Sequence, residues 1–183
     1  VYVNNLFSEK NMYINRVYST LAQSYDGLRM TDSALYYYKL AIQESVRLND
    51  KYAEGSIYGY MCNLYAGMNR FGDMLSAAEK SLALSKELQS RQMMASSLYN
   101  IAYARFLNNN NKEAYKNIQE ALAIAVADSL RDELKNCYTV LSYIAARDRD
   151  FVTSVSAKQK ADSIAGATLN EQVLKSTADL EKK

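Results

Sequence analysis

The side chains that could do chemistry in this chain are few and widely spaced. The 183 residues contain no histidine and only two cysteines, Cys62 and Cys137. Without histidine, the chain alone cannot build a Ser-His-Asp or Cys-His catalytic site or a histidine-zinc site. The two cysteines form neither a C-x-x-C pair nor a metal-spaced cluster. Their spacing therefore predicts two small, buried, apolar side chains.

Two pairs of acidic residues are the remaining candidates for acid-base or metal chemistry. They are Asp132 with Glu133 and Asp148 with Asp150. Neither pair is accompanied by a third ligand or by a glycine-rich phosphate loop. Both pairs fall where helices are expected to start or turn, and carboxylates at helix starts favour the helix dipole. We therefore expect no enzymatic activity, no metal site and no cofactor.

The composition predicts an ordered, all-α chain. It has no proline, six glycines and 49% hydrophobic residues, with 22 basic against 20 acidic side chains. The basic residues are spread evenly, whereas a nucleic-acid binder concentrates them on one face because phosphate contacts supply most of its affinity. No apolar run approaches the roughly 18 residues of a membrane span, and no basic-plus-apolar leader opens the chain. We expect this segment to bind no nucleic acid and to insert into no membrane.

Large and small apolar residues recur along the chain with a period of 40 residues. Within each half of a period, they are spaced three and four residues apart, which is one face of an α-helix. Each period therefore predicts two helices, and the column of small residues lets neighbouring helices approach closely. The small column reads Ala22, Cys62, Ala102, Ser142, and the large column before it reads Tyr18, Tyr58, Leu98, Tyr138.

The period divides the chain into one continuous solenoid of repeated helix pairs. Residues 1–10 align with the end of a truncated preceding repeat. Repeats 1 to 4 are 11–50, 51–90, 91–130 and 131–170, and 171–183 is a C-terminal capping or exit helix. Asn and Gly in the turns, Gly27 and Gly67 among them, tolerate left-handed backbone. The residues that can cap the next helix are Thr31, Asp50, Asp73, Ser90, Asn111, Ser129, Asp150 and Asn170.

The first repeat resembles the tetratricopeptide repeat, or TPR. The matching positions are Tyr18, Leu21, Ala22, Tyr25, Ala34, Tyr38 and Ala41. The later repeats match in part, with Arg105 and Ala145 at positions where an aromatic residue is usual and with no closing proline. The usual TPR period is about 34 residues, so this chain is similar to a long-repeat variant found in scaffold and sensor proteins. The resemblance implies a right-handed α-solenoid of antiparallel helix pairs.

The resemblance also implies that the first helices of the repeats line a concave groove that binds a protein or peptide. Asn and Gln donate to and accept from an extended peptide backbone, and Tyr supplies apolar area at low entropic cost. The alternative is that these tyrosines only fill space between helices. Carried over from the family, the groove residues are Gln23, Tyr60, Asn63, Tyr99, Asn100, Tyr103, Asn136 and Tyr143.

Two narrower points concern the same surface. TPR proteins that bind acidic chaperone tails use Lys, Asn and Arg on these helices, but the matching positions here carry no cation, so such a tail is not expected. Those positions are Ser19, Gln23, Tyr60, Ser96 and Asn100. The G-x-x-x-G pair of Gly55 and Gly59 predicts either close helix packing or an open groove floor.

The end of the chain, residues 178–183, resembles the helical exit of long TPR sensor regions. In Bacteroidetes-type proteins, such regions precede a membrane span and then a histidine kinase or a helix-turn-helix regulator. This resemblance implies a periplasmic sensing domain, and the alternative is a free-standing TPR adaptor in the cytoplasm. The partner's identity and the oligomeric state are not predicted.

Overall fold

The computed structural model describes residues 13–180, with side chains described as far as residue 174, and this part of the chain is a succession of eight helices. The predicted end of a preceding repeat, residues 1–10, lies outside the described residues. The helices are α1 Ile14–Gly27, α2 Thr31–Arg47, α3 Lys51–Gly67, α4 Phe71–Glu87, α5 Arg91–Leu107, α6 Asn111–Ala127, α7 Arg131–Arg147 and α8 Phe151–Leu180.

A single connection geometry joins every helix to the next. Each of α2 to α7 has 17 residues. After α4, the Gln89 amide donates to Lys86 O at 3.1 Å and the Ser90 amide donates to Ser85 O at 2.9 Å. This pair of bonds is a Schellman motif, in which the residue that follows the last helical turn adopts a left-handed backbone. The same pair of bonds occurs in all seven connections of the described chain. The left-handed residues are Arg29, Asn49, Asn69, Gln89, Asn109, Ser129 and Arg149.

The structure confirms some of the predicted helix caps and corrects others. Asp50, Ser90 and Asp150 cap α3, α5 and α8 as predicted, each accepting from the backbone amide three residues later. The cap of α6 is Asn110, one residue before the predicted Asn111. Gly27 and Gly67 close helices without adopting positive φ, so they are not the left-handed residues of their turns.

The other predicted caps are wrong for related reasons. Thr31 is the first helical residue of α2, and Asp73 lies in the first turn of α4, where it pairs with Arg70. Ser129 is the left-handed residue before α7 rather than its cap. Asn170 lies inside α8, which continues unbroken from Phe151 to Leu180. The sequence shows which side chains are able to cap a helix, but it does not show which position in each turn becomes the cap.

Small residues hold the stack together as their column predicted. Ala22, Cys62 and Ala102 are fully buried, and Ser142 is buried. They allow the two helices of each pair to approach closely, so that large side chains such as Tyr38 and Ile118 fill the spaces between layers. Leu21, one of the positions that match the TPR pattern, is 38% exposed.

The fold is an all-α solenoid of antiparallel helix pairs. Helices α1, α3, α5 and α7 pack side by side along one wall, and each is followed by a helix of the other wall. Helix α8 has 30 residues and extends beyond the length of the others. None of the helices in the described range combines the length and apolarity that crossing a bilayer requires.

Candidate functional site

Two clefts run along the wall formed by α1, α3, α5 and α7. The first, of about 220 Å³, lies between α3 and α5, and the second, of about 260 Å³, lies between α1 and α3. Tyr52, Ser56 and Tyr60 of α3 line both clefts. These side chains therefore form the border between two neighbouring clefts on the same wall.

The first cleft brings together four of the eight predicted groove residues, Tyr60, Asn63, Tyr99 and Asn100. Tyr60 is 41% exposed and Asn63 is also exposed, so both present polar atoms and ring surface to the groove. Asn100 is only 4% exposed. It therefore contributes to the packing beneath the cleft more than to its open surface.

The other predicted residues lie on the same wall at different depths. Gln23 lines the second cleft and hydrogen-bonds within α1 to Ser19. Asn136 on α7 hydrogen-bonds the side chain of Tyr99. Burial, together with nearby Cys62, Cys137 and Glu133, raises the pKa of Tyr99 to about 12, and the bond to Asn136 opposes this shift. The Tyr99 phenol therefore keeps its proton well above pH 10, the ordinary pKa of tyrosine.

An aromatic cluster continues the wall toward the ends of α5 and α7. The ring centroid of the predicted residue Tyr103 lies 6.4 Å from those of Phe106 and Tyr143. The Arg147 guanidinium stacks 3.6 Å from the centre of the Phe106 ring and donates to the Phe106 carbonyl oxygen. Charge and hydrogen bonding together fix this cluster, because a guanidinium binds both an aromatic face and a carbonyl.

The two glycines of G-x-x-x-G have different roles. A Cβ atom on Gly55 would lie 2.8 Å from Met93 Sδ and 3.4 Å from Leu84 Cβ, so Gly55 permits close packing of α3 against its neighbours. A Cβ atom on Gly59 would meet nothing within 4 Å, and Gly59 lines the first cleft. Gly55 is thus the packing glycine and Gly59 is the open groove floor.

Several residues in and beside the clefts were not predicted from the sequence. Tyr52 and Gln92 line the first cleft about two helical turns before the predicted Tyr60 and Asn100. Extending the i, i+4 spacing backwards from Tyr60 and Asn100 would have found both. Glu133 was assigned only to the helix dipole, and it does lie in the first turn of α7. It is also buried, 7% exposed, and accepts hydrogen bonds from α5.

The cysteines and the remaining acids lie apart from any arrangement of metal ligands. Burial raises the pKa of each thiol, Cys62 and Cys137, to about 12. Asp150 caps α8, while Asp148 accepts from the Asn111 amide group at 2.6 Å. Within residues 13–180, no three Cys, Asp or Glu side chains are grouped so that they could hold a metal ion.

Comparisons with known proteins agree on the fold. No family model and no curated protein sequence matches the chain. Aspartyl phosphate phosphatase F from Bacillus subtilis aligns over 86% of this chain and 42% of its own, with 13% identity and a TM-score of 0.75. BtubC (BKLC) from P. vanneervenii aligns over 84% of this chain and 64% of its own, with 21% identity and a TM-score of 0.69.

This chain spans less than two thirds of the length of either protein. At these identities, the likeness shows the architecture alone. The chain therefore has the helical-repeat solenoid fold that these structures share, in which eight consecutive helices each pack on the next.

Proposed function

We propose that this chain is a non-enzymatic TPR scaffold of the long-repeat type that binds a protein or peptide in the groove along α1, α3, α5 and α7. The observation that supports it best is that two open clefts lie side by side along this wall and share Tyr52, Ser56 and Tyr60. A row of open clefts suits an extended or helical segment, whereas a small metabolite needs an enclosed pocket that buries most of its surface.

The chemistry of the lining supports the same occupant. Tyr60 and Tyr143 expose ring surface, and exposed tyrosine is enriched where proteins bind one another because it buries a large area at low entropic cost. Asn63 and Gln92 are exposed amides that can pair with a peptide backbone. Both chemistries recur on successive helices of the wall, as recognition of a linear segment requires.

Leucine at Gly59 tests this proposal directly. Gly59 lies inside α3 with free space around its Cβ position, so Gly59→Leu fills the first cleft without a backbone clash. Leucine also favours a helix over glycine by about 0.5–1 kcal/mol, so the fold should be kept. We expect peptides selected from a random twelve-residue display library on the wild-type chain to bind Gly59→Leu at least about tenfold more weakly, a loss of about 1.4 kcal/mol.

Gly67→Leu is the matched control. Gly67 lies at the end of the same helix, its Cβ position is also open, and it lines neither cleft. Fluorescence polarisation with the selected peptides should give wild-type affinity for Gly67→Leu, and circular dichroism should show both variants equally helical. Unchanged binding by Gly59→Leu would place the peptide elsewhere and reject the groove.

A second candidate function is a sensing domain of a membrane-anchored histidine kinase or helix-turn-helix regulator. It is favoured by the length of α8, which has 30 residues where α7 has 17. A helix of this length could connect the solenoid to a further domain. The parent gene sequence after Lys183 decides between the candidates. A membrane span there, followed by either signalling module, supports the sensor, and an immediate stop codon contradicts it.

A further inference from the structure

A buried carboxylate lies behind the first cleft. Glu133 is 7% exposed, and its Oε1 atom accepts from Gln92 Nε2 at 2.9 Å and from Ser96 Oγ at 3.2 Å. Its other oxygen, Oε2, accepts no hydrogen bond from the described side chains, yet it is not sealed from solvent. One oxygen of this carboxylate is thus held by two side chains that line the first cleft, although Glu133 itself does not line it.

Within the described chain, no cation pairs with this carboxylate. The cations of α5 and α7, the helices that flank it, are all engaged elsewhere. Arg91 pairs with Asp128, Arg105 with Glu113, Arg131 with Glu171 and Lys135 with Asp132, while Arg147 binds the Phe106 carbonyl. A buried charge held only by neutral donors is costly, because the donors replace part of its hydration but none of its counter-charge.

The surroundings of the carboxylate suit a positive ligand group. Both of its hydrogen-bond donors, Gln92 and Ser96, line the first cleft, and so do the rings of Tyr52, Tyr60 and Tyr99. Tyrosine rings attract cations through their faces, and a carboxylate supplies the counter-charge. No residue that lines this cleft carries a formal charge of its own, and Glu133 is an acid that two of the lining residues bind directly.

We infer that the first cleft binds a lysine or arginine side chain of the partner, with Glu133 as its counter-charge and the cleft tyrosines around its stem. This inference rests on the proposed function and specifies the partner, a peptide with a basic residue at the point that meets α5. Gln92 and Ser96 then hold the carboxylate next to the cleft, and its negative charge attracts the ligand cation.

The test uses the random twelve-residue display library on three folded chains: wild type, Glu133→Gln and Gly59→Leu. Glutamine has nearly the same shape as glutamate and keeps an oxygen for Gln92 and Ser96, but it removes the charge. We expect peptides selected on the wild type to be enriched in Lys and Arg relative to the unselected library. The enrichment should vanish on Glu133→Gln, although peptides are still bound in the groove.

A measurement on one enriched peptide needs no protein variant, and so remains valid even if Glu133→Gln folds poorly. Replacing its basic residue by norleucine should weaken binding to the wild type about tenfold or more, because the attraction between that cation and Glu133 is lost. On a folded Glu133→Gln chain, the same replacement should change the affinity less than about twofold.

The outcomes separate the two proposals. Peptides that bind the wild type and lose affinity for Gly59→Leu, but show no basic enrichment and no effect of norleucine, overturn the role of Glu133 and leave groove binding intact. Basic enrichment that persists on folded Glu133→Gln also overturns that role, because another group then recognises the cation. Peptide binding unaffected by Gly59→Leu, or no binding at all, overturns both proposals.

Discussion

Burial decides what the two cysteine side chains can do. Cys62 and Cys137 are fully buried in separate parts of the core. Burial raises the pKa of each thiol to about 12. The thiolate is the reactive form, so at pH 8 only about one thiol in ten thousand is nucleophilic. The absence of a neighbouring histidine, which the sequence already showed, leaves neither thiol a general base of that kind.

We therefore expect both thiols to be inert in the folded chain. In a spectrophotometric assay with an aromatic disulfide at pH 8, the native protein should release almost no chromophore over an hour. The urea-unfolded protein should release two equivalents within minutes, because its thiols are exposed and return to their ordinary pKa. Rapid release of one equivalent from the native protein would identify a reactive cysteine and contradict this account.

The groove illustrates how far side-chain positions follow from sequence. Tyr60, Asn63 and Tyr99 could be placed on one wall because a repeat of fixed period puts equivalent positions on equivalent faces. The burial of Asn100 and the position of Glu133 could not be read in this way. Both depend on how α5 packs against the neighbouring helices of the wall, which is set between repeats rather than by the pattern within one helix.

The helices of the described chain end without glycine at the left-handed position, where glycine is the usual residue. All seven left-handed residues of the connections are non-glycine, and three are Asn. A left-handed backbone costs a residue with a Cβ atom about 1–2 kcal/mol, and Asn somewhat less, because its side chain can hydrogen-bond locally. The Schellman geometry is therefore imposed by the packing of the helices on either side, against the preference of residues such as Gln89.

Glycine at such a position should stabilise the chain. At Gln89, where φ is 52°, Gln89→Gly removes the strain, and part of the gain is lost to the extra freedom of glycine in the unfolded state. We expect a net stabilisation of about 0.5–1 kcal/mol, which for a chain of this size raises the melting temperature by about 2–3 °C. Thermal unfolding followed by circular dichroism measures it.

Asn69→Gly provides the comparison, with φ at 57° in an equivalent connection. Because asparagine already tolerates this backbone, its gain should be the smaller of the two. A loss of stability at Gln89→Gly would show that the glutamine side chain makes a stabilising contribution that outweighs backbone strain. The Schellman geometry also explains the predicted caps that were wrong. The sequence shows which side chains can cap a helix, whereas the position of the left-handed residue decides which of them does.

Above neutral pH, stability depends on the buried tyrosines and on the buried thiols of Cys62 and Cys137, because the chain has 16 tyrosines and no histidine. Burial is the largest cause of the raised pKa of Tyr38, Tyr58, Tyr65 and Tyr99. For a phenol whose folded pKa lies above its unfolded value of 10.0, the folded state keeps the proton that the unfolded state releases. Its contribution is present below pH 10 and is lost as the pH rises above that value.

We expect stability to be nearly constant between about pH 6 and pH 8 and to begin falling near pH 9, where the thiols of the unfolded chain ionise. The fall should be steepest from about pH 10 to pH 12, where buried Tyr99, with its pKa of about 12, must finally ionise. Urea midpoints measured by circular dichroism across this range test it. Tyr38→Phe removes a buried phenol and should make the alkaline fall shallower. Tyr36→Phe is the matched control, since Tyr36 is 59% exposed and its hydroxyl meets water in both states. If both variants lose stability with pH as steeply as the wild type, groups other than the buried phenols drive alkaline unfolding, and the tyrosine-filled spaces between the repeats are not its cause.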